Sequence, residues 1–284
     1  MIKEQTLKEK CEAMKASTNY IIEPDTYVVL HLDGRGFSHR VKKVFQRPFD
    51  EKFVCAMDDT MKYLMANIQG SLIGYAQSDE INIILSDKTQ DPNVKASPFF
   101  GYRLNKIQSI CASMCGAKFN RIMLTQLLME IPDGLSYGTV KEICDKAPLY
   151  SFDCKAFPAK DVNDAYAWLL YRQHDCVKNS RAQVAQYYLP HKALVGLTSE
   201  QQIELLKEQK GVDWNADFRD GLKYGRYCIY KKKMMTGTNP KSGETTEFER
   251  SFWTIEEGRP IDDGDFKEFV LSNIGRRENG ITEI

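Results

Sequence analysis

The residues best suited to chemistry in this chain are acids placed where strands end. The stretch HLDGRGFSHR (31–40) carries Asp33 at the close of a β-forming run, followed by two glycines around Arg35. A second stretch, SLIGYAQSDEINIIL (71–85), sets Asp79 and Glu80 between two apolar runs. An acid after a strand, followed by a glycine turn that exposes backbone N–H groups, suits a metal ion and a phosphate. It also suits an ordinary tight turn, which Asp and Gly form unaided.

Two carboxylates held a few ångströms apart repel, so the pair calls for a compensating charge. Magnesium meets that need, because it takes oxygen ligands and keeps substrate phosphates in its shell. Two such ions ~4 Å apart clamp the attacking and leaving oxygens of a phosphoryl transfer. By spacing alone, metal binding and turn capping are equal readings of Asp33 and Asp79. Basic residues favour the first. Arg103 and Lys106 stand three apart in a segment that reads as helical, hence on one face. Their neighbours Phe99, Phe100, Leu104 and Ile107 are apolar, and a cation pair on such a face suits a triphosphate. The densest basic cluster, Arg35, His39, Arg40, Lys42, Lys43 and Arg47, surrounds the first acid; a solvated basic loop is its plainer reading.

Asp33 and Asp79 meet only if the strand before one and the hairpin around the other share a sheet. The pattern of elements allows it. Residues 1–20 read as a short amphipathic helix with Leu7, Cys11 and Met14 at helical spacing. YVVLHLDG (27–34) is a strand with little alternation, expected to be buried on both faces. RPFDEKFVCAMDDTMKYLMANI follows as a helix capped by Asp50, apolar at Phe53, Val54, Met57, Met61 and Leu64. Residues 71–85 form a hairpin turning at AQSDE, 97–120 a helix, and 130–149 a long connection. YSFDCKAF (150–157) is a strand, and a helix capped near Asp161 comes next. This order is the split βαβ, ferredoxin-like arrangement: an α+β fold with an antiparallel sheet and helices.

The texture changes after residue 195. LTSEQQIELLKEQK is a helix stopped by Gly211, and KYGRYCIYKKKMM pairs with ERSFWTIEE in a hairpin around the loop 236–246. The expected organisation is a catalytic domain over 1–195 and a C-terminal extension of helix and β-hairpin over 196–284. Its tail from Gly275 is expected to be disordered.

Composition narrows the class. With 284 residues, 42% hydrophobic and 27% charged, the chain reads as an ordinary soluble globular protein. No apolar run approaches the ~20 residues of a membrane helix. The start, MIKEQTLKEKCEAMK, has neither a signal core nor an acid-poor transit pattern, so a cytoplasmic location is expected. Lys+Arg and Asp+Glu balance at 39 each; no global field attracts nucleic acid, although a local basic patch still can. Eight cysteines lack Cys-x-x-Cys spacing and read as free thiols, with Cys111 and Cys115 as core.

HLDGRGFS, RPFDEKF and GSLIGYAQSDEINIIL together resemble the tRNA-His guanylyltransferase superfamily. FDCKAF, YRQHDCVKNS, HKAL and GVDWN continue the resemblance over roughly residues 5–235. It implies a polymerase-palm-like fold and a metal-dependent nucleotidyltransferase that adds nucleotides to tRNA 5′ ends in the 3′–5′ direction. It further implies Mg²⁺, GTP and ATP as nucleotide substrates, and a homotetramer. Under it, Asp33 and Asp79 are metal-binding carboxylates, the Gly34 carbonyl is a further ligand, and Glu80 is the catalytic acid beside them. The turn Gly34, Arg35, Gly36, Phe37 and Ser38 holds the incoming triphosphate. Ser78, Arg103 and Lys106 contact the phosphates of the activating nucleotide, and Arg47 falls where the guanylyltransferases proper carry a lysine. Asp50, Lys178 and Asn179 are expected contacts to tRNA or nucleotide.

One departure points to a branch. Val177, Lys178, Asn179 and Ser180 stand where the eukaryotic guanylyltransferases have His-Ile-Asn-Asn. KNS, with RPFDE, HKAL and GVDWN, resembles the bacterial and organellar like-proteins, which repair truncated tRNA 5′ ends by Watson–Crick templating. Templated repair is therefore the expectation. A strict tRNA-His guanylyltransferase and a non-catalytic tRNA-binding protein are the alternatives.

Overall fold

The computed structural model describes residues 6–37, 44–88, 97–238, 240 and 243–275. A capping box at Thr6 opens α1 (Leu7–Ala16), yet the helix buries no residue. The runs richest in Val, Ile, Leu and Tyr become strands: β1 (Tyr27–Gly34), β2 (Ser71–Gln77) and β3 (Glu80–Leu85). Helix α2 (Glu51–Asn67), capped by the Asp50 carboxylate on the Phe53 N–H, crosses from β1 to β2. Helix α3 (Leu104–Met129) and then α4 (Tyr137–Lys146) lead from β3 to β4 (Phe152–Ala159). After β4 come α5 (Val162–Tyr188), capped by Asp161, and α6 (Ser199–Lys210), stopped by the left-handed Gly211. The chain closes with β5 (Arg226–Thr238), β6 (Thr245–Glu257) and α7 (Gly264–Ile274).

The six strands form one antiparallel sheet in the order β4-β1-β3-β2-β5-β6. Its first four have the split βαβ order. The expected C-terminal hairpin exists, and it continues this same sheet through the pairs Gly74↔Cys228, Tyr75↔Tyr227 and Ala76↔Arg226.

Burial explains why β1 does not alternate. Val28, Leu30 and Leu32 pack on one side with Met57, Met61 and Leu64 of α2 and Ile107, Cys111, Cys115 and Phe119 of α3. Tyr27 and Val29 pack on the other with Ala165 and Leu169 of α5 and Phe266 and Val270 of α7. The C-terminal half of α5 joins Leu206 and Trp214 in a third cluster. All eight cysteines are free, and Cys111 and Cys115 are core. No helix among the described residues is long and apolar enough to cross a membrane.

Three expectations need correction. The helix foreseen from residue 97 begins only at Leu104, because Phe100, Gly101 and Tyr102 turn left-handed with φ of 51°, 60° and 56°. The segment foreseen as a connection over 130–149 contains α4, whose N-terminus Ser136 caps. Helix α7 was not foreseen at all. The disorder expected of the tail concerns residues beyond Gly275, which lie outside the described residues.

Beneath the end of β1, six aromatic rings interlock. Phe119 contacts Phe37, Phe53, Tyr150 and Phe152 at centroid distances of 5.7, 5.9, 5.2 and 5.4 Å, and Phe45 meets Phe53 at 4.9 Å, tilted by 57°. Phe119→Ala removes the ring shared by most of these contacts. It should cost about 3–5 kcal/mol of folding stability in urea denaturation; a loss under about 1 kcal/mol would show that the cluster closes up without it.

Candidate active site

Asp33 is the penultimate residue of β1, and strand register dictates its company. It lies directly opposite Glu80 of β3 on one side and Asp153 of β4 on the other. Directly opposed residues share a sheet face, so three neighbouring strands put three acids in a row. The β2–β3 turn adds a fourth, Asp79. Ser78, held at φ 45°, donates its hydroxyl to Asp79 Oδ1 at 3.0 Å.

Among the described residues, only one of these acids has a cation of its own. Glu80 is buried and receives Arg172 Nε at 2.8 Å and Nη2 at 2.5 Å. Asn82 donates to the same carboxylate at 2.6 Å, and the Trp168 indole and His31 meet Asn82 Oδ1 at 2.8 and 3.0 Å. The Glu80 carboxylate is thus turned toward α5 and fully engaged. Glu80, expected beside Asp79 as a catalytic acid, is here the anchor of a buried polar network.

Asp33 and Asp79 line one cavity of about 600 Å³ together with Gly34, Gly36, Phe37, Arg47 and Ser78. Burial raises the Asp33 carboxyl above its ordinary range, the charge of Glu80 adds to this, and His31 and Arg172 oppose it. Burial likewise pushes Asp79 up to about 6, with the Ser78 hydroxyl opposing and the charge of Asp33 reinforcing the shift. No side-chain cation pairs with either acid among the described residues. Two half-buried carboxylates that repel each other, with no side-chain cation beside them among the described residues, fit a divalent cation. Among the described residues no group of three or more His, Cys, Asp or Glu side chains could hold a metal. Main-chain oxygen, water or phosphate would complete the shell of such an ion, which is the habit of magnesium.

Gly34 is required here for space. A Cβ at this position would lie 2.5 Å from the Phe37 ring and 2.8 Å from Asp79 Oδ2. Its N–H donates to the Asp79 carbonyl at 3.1 Å, and the Arg35 N–H donates to Ser151 at 2.9 Å. Two of the turn's expected phosphate-holding N–H groups are therefore engaged in the fold, leaving those of Gly36 and Phe37. Gly36 takes φ 70°, the left-handed conformation that favours glycine. Arg35 is exposed, and Ser38 with most of the basic cluster, residues 38–43, lies outside the described residues.

The remaining expected residues divide. Asn179 lines the cavity from α5, whereas Lys178, one residue earlier, is exposed and does not. Asp50 borders the cavity, with its carboxylate accepting from Phe53 N at 3.0 Å and Gln46 N at 2.8 Å. Arg103 and Lys106 are elsewhere. Arg103 caps α3 in an extended conformation instead of sharing a helical face with Lys106. Both stand at the far end of the sheet from Asp33.

Asp153 and Arg172 were missed as individual site residues. Both sit in recognised motifs, FDCKAF and YRQHDC, but only strand register reveals the first and only the α5 packing the second. Arg226, with its Nε 2.5 Å from Asp58 Oδ1 at the cavity's edge, carried no sequence signal.

Two substitutions test this division. Asp79→Asn removes a carboxylate that is uncomfortable when ionised, so it should stabilise the fold by about 1–3 kcal/mol at pH 7. The raised pKa means that the ionised form is destabilising. The gain should accordingly be full above about pH 6 and vanish below about pH 4, where the acid is protonated in folded and unfolded chains alike. Urea midpoints across pH check it, and a gain independent of pH would contradict the assignment. Glu80→Gln should do the opposite, costing about 3 kcal/mol by leaving Arg172 short of a buried charge. Thermal melts should then show partial recovery when Arg172→Met is added; no coupling between the two sites would disprove the pairing.

Comparison with known proteins bears on all of this. The family model described as tRNAHis guanylyltransferase matches residues 8–160. An uncharacterized protein of Acanthamoeba polyphaga mimivirus is 27% identical over 85% of this chain and 82% of its own length. The tRNA(His) guanylyltransferase of Debaryomyces hansenii is 26% identical over 69% of this chain and 71% of its own. Among solved structures, a bacterial tRNA(His) guanylyltransferase-like protein in complex with ATP superposes with a TM-score of 0.75 at 26% identity. It covers 95% of this chain and 99% of its own.

Proposed function

Because the chain belongs to the tRNAHis guanylyltransferase family and is a nucleotidyltransferase of that kind, we propose that it restores tRNA 5′ ends by template-dependent nucleotide addition in the 3′–5′ direction. The observation that carries the chemistry is the pair Asp33 and Asp79 in one cavity beside a glycine turn, with no side-chain cation on either among the described residues. In this reading the first four strands and their helices serve as a polymerase-palm-like platform. Magnesium, held by Asp33, Asp79 and the Gly34 carbonyl, would supply the charge that steadies the attacking and leaving oxygens. The chain's own work is positioning. Gly34 and Gly36 let a triphosphate approach the backbone, Arg35 adds charge beside them, and Ser78 orients Asp79. Arg103 and Lys106, expected as contacts to the activating nucleotide, stand at the far end of the sheet from this cavity and do not line it. ATP and GTP are the proposed nucleotides, as the related bacterial structures were solved with each.

Templating is supported by what is missing. Val177 stands where the histidine motif has its histidine, while Asn179, which lines the cavity, falls where that motif also carries asparagine. The valine side chain has neither donor nor acceptor, so it reads no base edge by hydrogen bonding. The phosphate contacts are identical for every nucleotide. Base pairing is left as the selector.

A second reading, obligatory guanylate addition to tRNA-His, is favoured by the names of the fungal and plant relatives, which are tRNA(His) guanylyltransferases. One panel separates the two. Four tRNAs lacking their first nucleotide, each with a different opposing base, are offered each nucleotide in turn. Incorporation should follow the template by several-fold or more, about 1 kcal/mol in transition-state terms, and Asp33→Ala should abolish it without loss of fold. Guanylate addition regardless of template, or confined to tRNA-His, would establish the second reading.

A further inference from the structure

The C-terminal hairpin runs past the sheet that anchors it. β2 pairs with β5 at Gly74↔Cys228, Tyr75↔Tyr227 and Ala76↔Arg226, whereas β5 and β6 stay paired from Arg226↔Glu257 out to Thr238↔Thr245. From Lys231 to Thr236 and from Thr245 to Arg250 every residue is exposed. This stretch is a two-stranded ribbon with both faces in solvent.

Strand alternation sorts its side chains by charge. Directly opposed residues share a face, so the pairs Lys231↔Phe252, Lys233↔Arg250 and Met235↔Phe248 make one face that holds cations, phenyl rings and no acid. The other face sets Lys232, Met234 and Thr236 against Ser251, Glu249 and Glu247, and there Lys232 pairs with Glu249 at 3.0 Å. On the first face, Lys231 is met from the sheet side by Glu256 at 2.7 Å. Lys233 and Arg250 have no carboxylate partner among the described residues. They stand directly across from each other, a like-charge pairing that costs stability. The rings beside them are open to solvent. Phe248 is 43% and Phe252 37% exposed, and Phe248 lies against Gly237, where a Cβ would come within 2.9 Å of the ring.

Unmatched cations set between aromatic rings suit a polyanion with exposed π faces. RNA is such a polymer: Lys and Arg meet its phosphates, and Phe stacks on its unpaired bases. We propose that this ribbon face is a docking surface for the RNA substrate, remote from the reacting end. Arg226 lies level with Ala76, three residues before Asp79, and Lys233 is seven residues further out along β5. At 3.3 Å per residue the cations stand about 30 Å from the acids. They take no part in nucleotide transfer. Their contribution is a grip on the body of the RNA while its 5′ end lies at Asp33 and Asp79. A second copy or another protein suits a face that is apolar or balanced in charge, whereas this one is basic with its acids sorted to the far side. The proposal rests on the reading of tRNA as the substrate.

The double variant Lys233→Gln/Arg250→Gln tests it. The change removes a repulsive pair from an exposed ribbon, so the melting temperature should match or exceed that of the wild type. Affinity for tRNA should fall roughly tenfold, and the slope of log Kd against log salt should drop by about 2, one for each lost phosphate contact. Phe248→Ala should weaken binding with the slope unchanged, because stacking on a base releases no counterions. A hairpin RNA with a stem of about five base pairs is under about 20 Å long. It stops short of the ribbon and should bind wild type and double variant alike, and kcat at saturating tRNA should hold. Equal tRNA affinity and salt slope in wild type and double variant would overturn the proposal. So would a loss of binding that accompanies a change of oligomeric state in sedimentation, which would make this face a contact between copies. Ribbon-dependent tRNA binding by a wild-type chain that adds no nucleotide would overturn the proposed activity and leave the docking surface standing.

Discussion

Repulsion among acids governs the end of the sheet where β1 stops. Antiparallel register sets Asp153, Asp33 and Glu80 side by side on adjacent strands, and the turn between β2 and β3 contributes Asp79. A sheet can hold such a row only if the charge is met. Arg172 meets it for Glu80, with Asn82, Trp168 and His31 fixing the carboxylate in place. Among the described residues no side-chain cation pairs with Asp33 or Asp79, and both open to a cavity. The buried pair thus does two jobs: it makes the row tolerable and confines the uncompensated charge to the two residues that face the cavity.

The complementary constraint is steric. The active-site turn has few hydrogen bonds to hold it, and its shape is set from below by Phe37, packed among Phe53, Phe119, Tyr150 and Phe152. These rings come from α2, α3 and the approach to β4, so the turn is braced by three segments remote from one another in sequence. Gly34 is the point where the two constraints touch, since a Cβ there would strike both the Phe37 ring and the Asp79 carboxylate.

Much of this was legible from the residues. The strand-end acids, the Asp50 and Asp161 caps, the Gly211 stop and the C-terminal hairpin all follow from local chemistry acting over a few residues. What local chemistry does not contain is register. Asp153 becomes a neighbour of Asp33 only through the β1–β4 pairing, and Arg172 becomes the partner of Glu80 only because α5 crosses that face. Arg103 and Lys106 show the converse. Their spacing and apolar neighbours suggested a shared helical face near the acids, but the left-handed turn at Phe100–Tyr102 delays the helix. The length of α3 then carries them to the other end of the sheet. Helix α4 was hidden for a simpler reason: Pro, Gly and Asp around it read as a loop, while the Ser136 cap is a single residue.

Because β5 pairs with β2, the catalytic strands acquire a neighbour that the ribosome makes much later. Ala76, just before Ser78 and Asp79, finds its partner in Arg226, about 150 residues further along the chain. At roughly 5–20 residues per second, β2 waits on the order of ten to thirty seconds with a bare edge. An unpaired, fully buried-type strand is a template for wrong partners. Nascent chains are therefore most vulnerable after the acids are in place and before the hairpin arrives, and the final segment acts as the clasp that ends that exposure.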